Sequence, residues 1–211
     1  MQSIIDYFAL HGGQWITMVI EHLAISGMAL AVAALVAVPL GIACSARLWA
    51  DRIVTNLAGV LRVVPSLGVL IVCVPLIGVG DAPAVLALTV LAIPPILINT
   101  ILAFRELPAD TLEAARAMGM GPARLLLTIK LPLALPTMFA GVRTAATEVI
   151  ASASLAAYIG AGGLGVLIYT GIGALKSDLL WIGGLSVAAL SLAVGALGTA
   201  IDRRLRHRLG A

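Results

Sequence analysis

The sequence predicts an all-α integral membrane protein that crosses the bilayer about five times, with the amino terminus outside and the carboxyl terminus in the cytoplasm. Three observations carry this. Of 211 residues, 61% are hydrophobic and only 11% charged, with a mean hydropathy of +1.12, whereas soluble domains carry about 25% charged residues. Charge-free runs long enough to cross the hydrocarbon recur along the chain. The basic residues then fall almost entirely on one side of those runs. So few charges could not clothe a water-facing surface, and soluble globular classes are excluded.

The elements follow in order. Asp6 is the only ionised side chain before Glu21, so residues 1–16 lack the basic region and the cleavage site of a signal peptide. Residues 3–10 are expected to form a short interfacial helix with Tyr7 and Phe8 at headgroup level. A span needs about 20 predominantly apolar residues. Runs free of Asp, Glu, Lys and Arg place span 1 at 23–46, span 2 at 63–80, span 3 at 82–104 and span 5 at 179–201. The apolar stretch 131–175 is interrupted only by Arg143 and Glu148 and is too long for one helix. Gly160, Gly162, Gly163 and Gly165 end helical character, so span 4 is expected at 132–158, followed by an irregular glycine-rich segment at 160–173.

The orientation comes from the basic residues. With the amino terminus outside, Arg47, Arg52, Arg105, Arg116, Arg124, Lys130, Arg203, Arg204, Arg206 and Arg208 are all cytoplasmic. Arg62 and Arg143 lie in the inner portions of spans 2 and 4, and only Lys176 falls outside. The reverse orientation would oppose the positive-inside bias. The net charge of +3 is thus a matter of topology and does not point to nucleic acid. Cys44 and Cys73 lie in apolar stretches without histidine or carboxylate at ligand spacing, and read as small packing residues with no metal site.

Most polar residues between spans 3 and 4 sit in the cytoplasmic loop 105–130. Asp110-Thr-Leu-Glu113 has the form of a capping box. The helix it starts runs through Ala114, Ala115, Arg116, Ala117 and Met118 and stops at Gly119. Gly121-Pro122 restarts a second helix with proline at its first position. A helix–glycine–helix unit of this kind is a rigid projection whose small residues let another protein approach closely. Ala115 is expected to be small for that reason.

Glu113-Ala114-Ala115, three residues, Gly119, nine residues, Ile129, one residue and Leu131-Pro132 resembles, at every position, the EAA pattern of bacterial ABC-importer permeases. The resemblance extends to Arg62-Val-Val-Pro65-Ser66-Leu67, Gly141-Val-Arg143-Thr144-Ala145 and Ile159-Gly-Ala-Gly-Gly-Leu-Gly165, which are similar to the osmoprotectant branch carrying glycine betaine, carnitine and choline. It implies a single type I ABC-importer transmembrane domain over 1–211, in the bacterial inner membrane. The loop 105–130 would be the coupling helix for a separate ATPase, which holds ATP and Mg. Implied partners are ATPase subunits, a second permease copy or paralogue, a periplasmic or lipid-anchored substrate-binding protein, and membrane lipid. The implied ATPase-coupling residues are Glu113, Ala114, Ala115, Gly119, Ile129, Leu131 and Pro132. Methionine and other amino-acid importer permeases share the span count, the pattern and a similar glycine-rich segment, and are the alternative.

Other features stay open between roles. Gly160 to Gly165 formally matches G-x-G-x-x-G, but follows a span instead of a strand, so a gate-forming segment containing Gly162 and Gly163 is the better reading. No G-x-x-x-x-G-K-[ST] occurs. Arg143 and Glu148, five residues apart, do not form an i,i+4 pair. Arg143 either lines the pathway or snorkels inward, and Glu148 either lines the pathway or gate or holds helices together. Pro65 and Ser66 are further pathway candidates; Asn99 either hydrogen-bonds between helices or lines the pathway; and Pro65, Pro75, Pro94 and Pro95 kink or break spans 2 and 3, either lining a pathway or simply packing. Gly184-x-x-x-Ala188 and Ser191-x-x-x-Gly195 suit close helix packing inside the bundle. A secondary transporter is disfavoured, since five spans do not divide into matching halves. So is a membrane enzyme, since His11, His22 and His207 are dispersed and no catalytic cluster is legible.

Overall fold

The computed structural model describes residues 2–63 and 65–209, with the side chains of 2–6, 48, 50, 51, 63, 208 and 209 left aside; Val64 of the Arg62–Leu67 motif and the side chain of Arg208 therefore lie outside the described residues. Among the described residues the chain is helical throughout, without strands. The helices are α1 (Gln2–Ser45), α2 (Leu48–Val63), α3 (Ser66–Ile77), α4 (Asp81–Arg105), α5 (Ala109–Ala117), α6 (Pro122–Leu125), α7 (Leu131–Ala153), α8 (Gly165–Gly173) and α9 (Ser177–Leu209). A π-helical turn, Leu126–Lys130, joins α6 to α7, and a 3-10 turn, Ser154–Ile159, extends α7.

Among the described residues four helices are long and apolar enough to cross a membrane, namely Tyr7–Ser45, Asp81–Arg105, Pro122–Ile159 and Ser177–His207; a bent pair makes up to five. Two expectations change. The separate interfacial helix at 3–10 does not exist, because nothing between it and span 1 breaks the backbone, and α1 runs unbroken for 44 residues. Span 2 is not one helix over 63–80. Pro65, which cannot donate a backbone hydrogen bond, sits at a break where α2 meets α3 at 92°, and it caps α3 instead of kinking a span. At ~1.5 Å per residue, α3 alone reaches about 18 Å, short of the ~30 Å hydrocarbon core. Pro94 and Pro95, by contrast, are buried inside an unbroken α4.

α4 is the central helix, packed between α1 and α7, with α9 on the far side of α7. The α1 face is a ladder of small residues, Ala29, Ala33 and Ala37, all with no exposed surface. Gly41 continues it, since a Cβ there would lie 2.8 Å from Thr100. At the α4–α7 seam a Cβ on Gly141 would lie 2.6 Å from the Cβ of Asn99. Small residues at these crossings let backbones approach and gain dispersion contacts, the main attraction between helices in lipid. Cys44 and Cys73 are buried free thiols in the same core. Of the two small-residue pairs in α9, Ser191 and Gly195 face α7. Gly184 has open space and Ala188 is exposed, and Gly183 takes the packing role against Ile168 of α8.

Candidate functional site

The projection between α4 and α7 is built as a helix–turn–helix. α5 does not begin with the expected capping box: Pro108, with φ −60°, precedes the helix and no side chain caps it. Asp110 instead lies in the first turn, where its charge complements the helix dipole. The far end closes in a Schellman motif. Met120 N donates to Ala115 O at 3.2 Å, Gly119 N donates to Arg116 O at 2.9 Å, and Gly119 adopts φ +79°. Pro122 then opens α6, as expected.

The loop's side chains divide into two sets. Glu113, Ala114, Ala117 and Met118 are exposed. Ala115 is only 2% exposed, turned into the chain itself, so its small size is set by internal packing and not by an approaching protein. Ile129 is half-buried in the π-turn, and Leu131 and Pro132 are half-buried in the first turn of α7. Leu131 packs against the cluster of Ala103, Ala134 and Met138.

At the opposite end of α7 the glycine-rich segment is partly regular. Residues 160–164 form a loop in which Gly160 (φ +80°) and Gly163 (φ +93°) are left-handed; the rest of the expected irregular segment is α8. The loop is tied to α1 by two residues the sequence reading missed. Glu21 Oε2 accepts a hydrogen bond from Gly163 N at 3.0 Å, and a Cβ on Gly162 would run into the same carboxylate. His22, 1% exposed, packs on Gly163, and its Nε2 donates to Ile150 O of α7 at 2.9 Å. Their trace in the sequence is that they are the polar pair interrupting an otherwise apolar helix.

The charges of α7 have separate partners. Glu148 Oε1 pairs with Arg62 Nη2 of α2 at 2.9 Å, beside Leu91, Ala151 and Ser152 around a cavity of about 340 Å³. Arg143 Nη1 donates to Thr199 Oγ1 at 3.3 Å and lies 3.7 Å from Asp202 of α9, which also holds Arg206. Asn99 Nδ2 donates to Pro95 O of its own helix at 2.8 Å, at the seam with α7. Pro65 and Ser66 lie at the α2–α3 bend. Among the described residues no three His, Cys, Asp or Glu side chains converge as a metal would need.

The helical membrane bundle, with a helix hairpin projecting between α4 and α7, fits the transmembrane component of a transport system. Residues 37–207 match the family described as binding-protein-dependent transport system inner membrane component, and the chain belongs to that family; it is a permease subunit of an ABC importer, in the inner membrane. It is 37% identical to the carnitine transport permease protein OpuCB of Listeria monocytogenes over 99% of this chain and 94% of that protein. It is 33% identical to the choline transport system permease protein OpuBB of Bacillus subtilis, covering 97% and 94% of the two chains. Among solved structures, an inward-facing MetNI methionine ABC transporter matches with a TM-score of 0.79 at 24% identity, over 90% of this chain and 95% of that one; that likeness is one of fold.

Proposed function

We propose that this permease carries a small zwitterionic or quaternary-ammonium osmoprotectant of the glycine betaine, carnitine, choline or proline type. The observation that carries the reading is the near full-length similarity to the carnitine and choline permeases. A methionine or other amino-acid substrate stands second, supported by a shared fold.

In this reading residues 1–211 act as one transmembrane domain, amino terminus outside, paired with a second copy or a paralogue in the lipid bilayer. ATPase subunits, which hold ATP and Mg, dock on the loop 105–130. Glu113, Ala114 and Gly119 present or shape its contact surface, and Ala115, Ile129, Leu131 and Pro132 root it in the bundle. A periplasmic or lipid-anchored binding protein delivers substrate near 160–173. Closure of the ATPases pushes the loop, and differential contacts in two states switch access from one side to the other. Glu148 and Arg143 line the pathway, Pro65 and Ser66 flex with α2, Asn99 stiffens the α4–α7 seam, and Gly162 and Gly163 form the outer gate.

The test is ATP-dependent uptake by proteoliposomes holding the assembled transporter and its binding protein, with glycine betaine, carnitine, choline, proline and methionine offered separately. Accumulation of the quaternary ammonium compounds is expected. Uptake of methionine alone would overturn the assignment.

A further inference from the structure

Between α7 and α9 lies an open groove of about 580 Å³ lined by Arg143, Thr144, Thr147, Ser191, Gly195 and Thr199. Ser191 falls near the middle of the uncharged run 179–201 in α9, and Thr199 near the end of that run, one turn before Asp202. Exposed to hydrocarbon, the remaining N–H groups of Arg143 and the unused lone pairs of the hydroxyls would be left without partners at substantial cost. The groove therefore faces water in the assembled transporter.

Its chemistry is one-sided. Thr144 Oγ1 donates to Ala140 O at 3.0 Å, Thr147 Oγ1 to Thr144 O at 2.9 Å, Ser191 Oγ to Thr147 O at 3.4 Å and Thr199 Oγ1 to Gly195 O at 2.8 Å. A hydroxyl has one hydrogen and two lone pairs. With every hydrogen committed to backbone, these oxygens offer the groove lone pairs alone. The one donor is Arg143, whose stem lies against Gly198. Its Nη1 bonds Thr199, and its other N–H groups make no hydrogen bond among the described residues. Asp202, 3.7 Å away, partly offsets the charge and weakens the pull on an anion. At ~1.5 Å per residue, Ser191 and Thr199 are about 12 Å apart along α9, enough for a small zwitterion lying lengthwise.

We propose that this groove is a substrate subsite of the translocation pathway, taking a carboxylate at Arg143 and the electropositive methyl groups of a quaternary ammonium against the lone pairs of Thr144, Thr147 and Ser191. The proposal rests on the osmoprotectant reading and adds residues and a direction of binding to it.

The experiment uses the assembled transporter in proteoliposomes with Cys44 and Cys73 replaced by alanine. Ser191→Cys is treated with trimethylammonioethyl methanethiosulfonate, a water-borne thiol reagent that carries the same head group as the ligand. Labelling is expected, slowed about tenfold by saturating glycine betaine and unaffected by methionine, a protection worth one order of magnitude in occupancy. Separately, Thr147→Val with Ser191→Ala, which removes oxygens and keeps packing, should lower betaine uptake about tenfold with the ATPase still bound. An inert Ser191→Cys, or wild-type uptake in the double variant, overturns the subsite. Normal wild-type uptake with unprotected labelling overturns it alone; wild-type vesicles that take up no betaine overturn the osmoprotectant reading and this ligand together.

Discussion

Arg62 and Glu148, separated by 86 residues, meet in a 2.9 Å ion pair that ties α2 to the C-terminal half of α7. The side chains are 47% and 33% exposed, a setting in which an ion pair contributes at most about 1 kcal/mol. The pair is thus too weak to hold the bundle together. It is suited to a contact that opens and closes.

The first prediction concerns that contact. Glu148→Gln keeps the shape and removes the charge, so thermal unfolding of the purified protein should shift by less than about 1 kcal/mol equivalent. Uptake by the assembled transporter should nevertheless fall, and exchanging the two charges in Arg62→Glu with Glu148→Arg should recover part of it. Unchanged uptake kinetics in Glu148→Gln would return the residue to packing.

The glycine loop gives a second expectation. Gly163 holds φ +93°, and a Cβ there would lie 3.1 Å from His22 Nδ1 and 3.2 Å from its Cα. Gly163→Ala should therefore destabilise by at least the ~1–2 kcal/mol of a left-handed L-residue. Gly162→Ala meets the side chain of Glu21 and would displace the carboxylate that accepts from Gly163 N, but it has no left-handed backbone to strain and should cost less. Comparing the two melting curves decides it; equal effects would mean that backbone strain is not the dominant factor.

In the loop 105–130, Glu113 is exposed and makes no capping bond. Glu113→Ala should leave stability within about 0.5 kcal/mol while weakening ATPase retention in a pull-down. Gly119→Val should strain the Schellman turn by roughly 1–2 kcal/mol, although open space surrounds the position. Ala115→Trp should disrupt the loop from within, detected as protease sensitivity before any ATPase is added. Full ATPase retention in all three would remove the loop from the coupling role.

Topology supplies the fourth. In a background without Cys44 and Cys73, a cysteine replacing Asp81, exposed at the start of α4, should react with an impermeant reagent added outside. One replacing Arg203 should not. Labelling of Arg203→Cys alone would invert the orientation.

Much of the fold was legible because charge-free runs and bilayer thickness impose the same length scale, which is why α4 and α9 fall close to expectation. α2 was hidden for the opposite reason. Trp49, Ile53, Leu57 and Val60 form an exposed apolar stripe, but Asp51 and Arg52 fall among these residues in the sequence and Arg62 just after them. A helix with mixed faces leaves no charge-free run. Glu21 and His22 shortened the expected first span because polar residues in a span look unfavourable until their partners, Gly163 and Ile150, are known. Arg62 as the partner of Glu148, and Asp202 as that of Arg143, depend on how distant helices cross. The EAA spacing was legible as a motif, but the inward turn of Ala115 was not, since spacing does not reveal which face of a nine-residue helix the rest of the chain covers.

From Pro122 to Ile159 the helical run is unbroken for 38 residues, about 57 Å at ~1.5 Å per residue. Its two ends are therefore locked in rotational phase as well as in distance. Adding or deleting one residue between Leu131 and Arg143 would turn everything beyond it by about 100°, swinging Glu148 away from Arg62 and Arg143 away from α9 while both termini of the rod stayed helical. In this rod chain length is a fixed quantity, as the tooth count is in a gear.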